Sequence, residues 1–249
     1  MTKISVHVQA GRDAYERGDY DTALKKFLPL AEQGDSAAQF NLGKLYHQGQ
    51  GVPQDYAEAM KWYRLAAEQG FALAQSNLGG MYFSSHGVPQ DYAEAMKWFR
   101  LAAEQGHTNA QTNLGVMYHQ GQGGPQDYAE AMKWYRLAAE QGHTNAQTNL
   151  GVMYHQSQGV PQDYAEAMKW YCLAAEQGFA LAQSNLGGMY ISSHGVPRNS
   201  IQGYMWASLA AAQGNEKAVK GLELLEKSMT LDELAQAQRL AREWKPKGK

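Results

Sequence analysis

The chain repeats itself with a period of 36 residues. The phrase Asn-Leu-Gly, a tryptophan and a turn proline all recur at this interval, which defines five repeats over residues 37–217. A fixed period of this length is typical of repeat architectures, in which each repeat buries its apolar face only against its neighbours. The period therefore argues against a globule with a single core.

Each repeat has the pattern of two helices joined by a turn. In the first repeat, Asp55 begins the second helix, and Glu58 three residues later predicts a reciprocal capping box. Gly70 ends that helix, because glycine adopts the left-handed conformation after the last turn without strain. The same signals return at each step, so five helix pairs are predicted.

The first helix of the first repeat is predicted at about residues 37–48. Its apolar residues recur at helical spacing and form one buried face: Ala38, Leu42, Leu45 and Tyr46. Gly43 lies inside this helix, where glycine costs about 1 kcal/mol relative to alanine. We expect a close approach of the partner helix to compensate for that cost.

Three phrases of the repeat are similar to those of a known family. They are Ala-Gln-x-Asn-Leu-Gly-x-x-Tyr, Gly-Val-Pro-Gln-Asp-Tyr-Ala-Glu-Ala and Trp-Tyr-x-Leu-Ala-Ala-Glu-Gln-Gly, and together they resemble the Sel1-like repeat, a relative of the tetratricopeptide repeat. The resemblance implies an all-α fold, a right-handed superhelical solenoid of stacked antiparallel helix pairs. Residues 1–36 resemble an ordinary tetratricopeptide hairpin, and residues 218–249 are expected to form capping helices and a tail of one continuous solenoid.

Charge and hydropathy argue against several classes of partner. The 22 basic and 24 acidic residues are spread along the chain and form no basic stripe, so no nucleic acid is expected. No stretch approaches the ~18 consecutive apolar residues that span a bilayer, so no membrane insertion is expected. The first residues lack a signal-peptide pattern, which predicts a cytoplasmic protein, or a periplasmic or secreted one if a leader was removed.

The predicted ligand surface lies on the first helices, which line the concave side in stacks of this kind. Five asparagines would form a ladder there: Asn41, Asn77, Asn113, Asn149 and Asn185. Primary amides carry a donor and an acceptor and can pair with a peptide backbone; the alternative is that each amide bonds a neighbouring backbone group in the stack. The other predicted groove residues vary between repeats, as selectivity requires: Lys44, His47, Phe83, Thr112, His119, Thr148 and His155.

The candidates for metal binding and catalysis are weak. His119 and His155 occupy equivalent sites of adjacent repeats, roughly 10 Å apart by the spacing of packed helices, too far for one zinc ion with ligands near ~2.1 Å. Ser84-Ser85-His86 and its counterpart at residues 192–194 place hydroxyl and imidazole side by side, without an acidic residue to orient them. Cys172 replaces an arginine and is interpreted as drift on an exposed face. No metal, cofactor or catalytic residue is predicted.

The sequence and the resemblance together predict a non-catalytic scaffold or adaptor that binds a peptide or protein surface in its groove. Sel1-like proteins generally serve as adaptors in complex assembly and signalling. Two alternatives stay open. One is binding or weak hydrolysis of a cell-wall-like or β-lactam small molecule, and the other is a structural spacer or homo-oligomer.

Overall fold

The computed structural model describes residues 3–247, which contain fourteen α-helices and no strand. The chain divides into an N-terminal unit, Met1–Asp127, and a C-terminal unit, Tyr128–Lys249. The N-terminal unit contains α1 (Lys3–Glu16), α2 (Tyr20–Glu32), α3 (Ser36–Gln48), α4 (Tyr56–Glu68), α5 (Ala72–Ser84), α6 (Tyr92–Glu104) and α7 (Thr108–Gln120). The C-terminal unit contains α8 (Tyr128–Glu140), α9 (Thr144–Gln156), α10 (Tyr164–Glu176), α11 (Ala180–Ser192), α12 (Ser200–Ala211), α13 (Glu216–Glu226) and α14 (Leu231–Glu243).

Each unit is a stack of helix pairs. In the N-terminal unit, α3 packs on α4 and α5 packs on α6, while α4 also packs against α5 of the next pair. The C-terminal unit repeats this order with α9 to α12, and α12 is covered by α13 and α14. The predicted all-α fold of stacked helix pairs is confirmed. The leucine of each Asn-Leu-Gly phrase is fully buried, which makes the first helices the inner part of the core: Leu42, Leu78, Leu114, Leu150 and Leu186.

The second helices begin at the predicted aspartates, but without the predicted reciprocal box. Asp55 caps α4 by accepting hydrogen bonds from the backbone N–H groups of Ala57 and Glu58, at 2.9 and 3.0 Å. The Glu58 carboxylate instead binds Lys61 Nζ at 3.2 Å. The backbone N–H of Asp55 is already bonded to the carbonyl of Tyr46, so it does not need the glutamate. A complete capping box does occur at Thr230 and Glu233, at the start of α14.

Glycines inside the first helices mark close helix contacts, as predicted. A Cβ atom added to Gly43 would lie 2.8 Å from Cδ1 of Tyr63, and one added to Gly79 would lie 2.9 Å from Cδ1 of Phe99. Such distances lie well inside van der Waals contact, so the ring of the second helix occupies the space of the missing side chain. Gly70 ends its helix at φ 86°, as the terminating role requires.

A buried glutamine in the first helix of a pair joins it to the second helix of the preceding pair and to the second helix of its own pair. Gln39 is 4% exposed and donates from Nε2 to the carbonyl of Ala31 in α2, at 3.1 Å. Its Oε1 accepts a 2.7 Å hydrogen bond from Nε2 of Gln69, at the end of α4. The same bridge recurs at later pairs, centred on Gln75, Gln147 and Gln183. The amide thus fixes the first helix against the second helices on both sides.

The C-terminal segment folds back on the stack, and its position contradicts two predictions, those for Cys172 and for the tail. Cys172 is not on an exposed face: it packs with Leu240 and Trp244, and burial raises its pKa to about 11. At the equivalent position Arg100 extends to the Tyr118 hydroxyl at 2.7 Å, so the smaller cysteine leaves room for α14. The predicted frayed tail is also docked through Lys247, whose N–H donates to the Glu176 carbonyl at 2.7 Å. The last two residues lie outside the described part of the chain.

Two adjacent glycines of α5 give a matched test of this packing. We expect Gly79→Ala to destabilise the protein by about 1–2 kcal/mol, because the overpacking cost against Phe99 exceeds the gain in helix propensity. Gly80→Ala should stabilise it by up to about 1 kcal/mol, because nothing lies within 4 Å of the added atom. Urea denaturation measures both, and equal effects of the same sign would contradict the assigned packing.

Candidate functional site

Each first helix after α3 leaves one narrow row of residues open to solvent, with an asparagine in it. On α5 the row is Leu73, Asn77, Gly80 and Ser84, and on α7 it is Asn109, Asn113, Val116 and Gln120. In the C-terminal unit the rows are Asn145, Asn149, Val152 and Gln156 on α9, and Leu181, Asn185, Gly188 and Ser192 on α11. These spacings lie on one helix face. We call these rows the asparagine stripe.

The predicted asparagines differ in how much of the amide is open. Asn41 is buried, and its Nδ2 donates to the carbonyl of Ala37 at 2.7 Å. Asn77 is exposed and hydrogen-bonds the hydroxyl of Tyr63, whose pKa burial raises to about 12 while this bond opposes the rise. Asn149 is half-buried and hydrogen-bonds Tyr135 in the same way. Asn113 is also exposed, and the residue equivalent to Tyr63 is Phe99, which has no hydroxyl group for the amide to bind.

Two predicted groove threonines face the core instead. Thr112 is 5% exposed and Thr148 is 1% exposed. Their hydroxyls donate to the carbonyls four residues earlier, at 3.0 and 2.8 Å. Each threonine comes one residue before the asparagine and is therefore rotated from it by about 100° around the helix axis. This rotation points the threonine side chain into the contact with the preceding pair. The expectation that these threonines face a groove is therefore wrong. Asn41 is excluded for another reason, since it is buried and bonded within its own helix, and the proposed surface includes none of the three.

The remaining variable positions are half-buried. Lys44 places its Nζ 4.0 Å from the centre of the Tyr15 ring. Phe83 packs edge-on against Tyr92, with ring centres 5.5 Å apart. The carbonyl of His119 accepts a 2.7 Å hydrogen bond from Gln126. Phe83 and His119 come three residues after the stripe residues Gly80 and Val116 and give the border of the stripe a different chemistry in each repeat, whereas Lys44 occupies on α3 the position that Gly80 occupies on α5.

The N-terminal unit contains a cluster of two imidazoles around a tyrosine. His86 stacks on Tyr56, with ring centres 5.5 Å apart and an interplanar angle of 11°. His47 lies edge-on to the same tyrosine at 5.3 Å. His47 is at the end of α3, and His86 is in the turn after α5.

The C-terminal unit repeats this cluster more tightly. His194 stacks on Tyr164 at 4.8 Å and 6°, and Nδ1 of His194 lies 3.2 Å from Nε2 of His155. Sequence reasoning missed these pairs because their members are 39 residues apart rather than 36. The signal was present, since each Ser-Ser-His phrase lies in the repeat directly after one whose first helix ends near a histidine.

The clusters lower the proton affinity of their helix-borne histidines. Burial is the main cause that lowers the pKa of His47 and of His155 below 6.5, and the neighbouring imidazole adds to it in both. Lys217 also lowers the pKa of His155. Within residues 3–247, no group of three or more histidine, cysteine or acidic side chains has an arrangement suited to a metal ion.

The Ser-Ser-His phrase serves the turn that contains it. Ser85 adopts the left-handed conformation at φ 59° and ends α5, and its Oγ donates to the carbonyl of Val88 at 3.1 Å. The imidazole of the next residue, His86, stacks on Tyr56. The hydroxyl and the imidazole therefore have separate structural contacts.

A family model confirms the repeat assignment. The Sel1 repeat matches residues 36–71, 72–107, 108–143, 144–179 and 180–215. The chain belongs to the Sel1 repeat family. The Sel1 repeat fold is generally a protein–protein interaction scaffold, and its members are typically non-catalytic.

Solved structures of Sel1 repeat proteins resemble the chain along almost its whole length. A protective antigen of uropathogenic Escherichia coli with this fold, c5321, is 38% identical over 97% of the chain, with a TM-score of 0.85. The chain spans 54% of that antigen. A Sel1 repeat protein of Oxalobacter formigenes is 33% identical, covers 98% of both chains and has a TM-score of 0.84.

More distant matches share the fold alone. An immunity protein of Pseudomonas aeruginosa, Pa5087, is 18% identical over 84% of each chain, with a TM-score of 0.54. None of the curated proteins compared with the chain matches it. In the described part of this Sel1 repeat protein, every helix is too short or too polar to cross a membrane.

The paired imidazoles predict a shift that can be measured. His194→Gln should raise the pKa of His155 towards 6.5, because it removes one of the groups that disfavour the protonated form. Since the folded pKa is lowered, His155 contributes stability above pH 6.5 that is lost as the pH falls through its folded value. Titration of the His155 ring protons by NMR measures the shift, and an unchanged pKa would show that the two rings do not interact.

Proposed function

We propose that this Sel1 repeat protein is a non-catalytic scaffold in which the rows of the asparagine stripe within a unit bind an extended segment of a partner protein. Gly80 and Gly188 are the observation that carries this proposal. Both lie inside a helix, where glycine costs about 1 kcal/mol relative to alanine. Unlike Gly79, they have open space where a side chain would be. Packing within the chain does not account for them, whereas close approach of a partner backbone would.

The amides beside these glycines suit such a partner. Asn77 lies three residues before Gly80 and seven before Ser84 on the same helix face, so its amide stands next to the open space beside Gly80. An amide can donate to a peptide carbonyl and accept from a peptide N–H whatever the peptide side chains are. The variable residues at the border, such as Phe83 and His119, would then provide selectivity between segments.

The stripe can be blocked without disturbing the fold. We expect Gly80→Val together with Gly188→Val to reduce partner binding at least about tenfold, because the added side chains occupy the surface where a backbone would lie. Valine already stands at the equivalent positions Val116 and Val152, so the variant should fold. The measurement is affinity capture from an extract of the source cells, quantified by mass spectrometry and repeated as a binding titration with the captured partner.

The matched control is Ala93→Val, which adds the same side chain to an exposed position of the second helix α6. It should retain the partner at the wild-type level. If the stripe variant keeps the partner and Ala93→Val loses it, binding lies on the second helices and the proposal is wrong.

A further inference from the structure

The C-terminal unit has a cavity of about 290 Å³ at the end of the asparagine stripe. It lies between α9, α11 and the start of α13. Its polar lining includes His155, Asn185, Ser192, His194 and Lys217. Five residues of the stripe are thus also walls of the cavity: Val152, Gln156, Asn185, Gly188 and Ser192.

The charges around this cavity are of one sign. The lining contains the positively charged Lys217 and no aspartate or glutamate. The paired imidazoles of His155 and His194 can take up a proton, while Asn185 and Ser192 offer neutral donors. Lys217 is exposed, so its attraction to an anion is effective only together with hydrogen bonds from the rest of the lining. The lining therefore suits a carboxylate rather than a cation or an apolar group.

We propose that this cavity binds the side-chain carboxylate of a glutamate or aspartate in the partner segment, with Lys217 as its ionic contact. This inference rests on the proposed function, because it assumes a segment that lies along the asparagine stripe. A side chain is the expected source, since a segment that follows the stripe passes over the cavity rather than ending in it. The partner is therefore predicted to be an acidic segment.

The repeat offers its own comparison for the role of Lys217. The cluster of His47, Tyr56 and His86 in the N-terminal unit is the counterpart of His155, Tyr164 and His194. The residue equivalent to Lys217 in that unit is Asn109. Substitution of Lys217 by asparagine therefore gives the C-terminal cluster the residue that its N-terminal counterpart has at this position.

Binding of a carboxylate should be coupled to uptake of a proton. The groups that face the two imidazoles are Lys217 from α13 and the hydroxyl-bearing rings of Tyr164 and Tyr171 from α10. In the free protein, burial and Lys217 keep the pKa of His155 low, and a bound anion would raise it. The affinity should therefore increase as the pH falls from about 7.5 to about 5.5, still above the ordinary pKa of a glutamate.

The test is an NMR titration of the intact protein, observed at the ring protons of the histidines. Three capped probes are used: Ac-Ala-Glu-Ala-NH2, its glutamine analogue, and Ac-Ala-Ala-Ala with a free C-terminal carboxylate. The glutamate probe should shift His155 and His194 more than His47 and His86, and the glutamine probe should shift none of them. Lys217→Asn should weaken binding of the glutamate probe about tenfold. Lys220→Asn should leave it unchanged, because Lys220 is an exposed lysine of the same helix that does not line the cavity.

Three results would overturn the inference. They are equal shifts with the glutamate and glutamine probes, equal binding by Lys217→Asn and the wild type, and a response to the C-terminal carboxylate alone. Circular dichroism of each variant shows that it is folded. If the probes fail while Gly80→Val with Gly188→Val still loses the partner, the carboxylate site is wrong and the scaffold function stands. If the glutamate probe binds and that double variant keeps the partner, the scaffold proposal is the one that fails.

Discussion

The stack depends on one buried interaction, the glutamine bridge between successive helix pairs. Gln75 donates to the carbonyl of Ala67 at the end of one second helix and accepts from Gln105 at the end of the next. The Ala67 carbonyl also accepts a 2.9 Å hydrogen bond from the backbone N–H of Gly70, so the glutamine adds a second partner from the following pair. Each of the two side-chain hydrogen bonds of the bridge contributes about 0.5–1.5 kcal/mol. It therefore sets the register between pairs as well as their stability.

This arrangement separates the two amides of the Ala-Gln-x-Asn phrase by function. The glutamine lies two residues before the asparagine, on the face that meets the preceding pair, while the asparagine of α5 or α7 lies on the open face. Because the bridge stabilises the stack, the open face is free to vary at its borders. A scaffold needs this combination of a rigid interior and an adaptable surface, and the acidic-segment site at Lys217 is one such variation.

Much of the fold could be predicted from the 36-residue period and from the residues that begin and end the helices, whereas contacts across repeat boundaries could not. The helix positions, the aspartate caps and the close approach at Gly43 are local or follow from one helix pair, so the sequence predicts them. The capping box at Glu58 failed because a tertiary carbonyl, that of Tyr46, had already paired with the N–H in question. Cys172 was misread because α14 folds back over it. The His155–His194 pair and the burial of Thr148 depend on how neighbouring pairs pack, which a repeat pattern alone does not specify.

The most direct test of this account compares the two amides of the phrase. Gln75→Leu keeps most of the volume but removes the bridge, and it should lower the free energy of unfolding by about 1–3 kcal/mol, because two hydrogen bonds that contribute about 0.5–1.5 kcal/mol each are lost. Asn113→Ala, at an exposed position of the stripe, should change it by less than about 0.5 kcal/mol. Urea denaturation of both variants under the same conditions provides the comparison. A larger loss from Asn113→Ala than from Gln75→Leu would contradict the account, because it would assign the structural role to the asparagines.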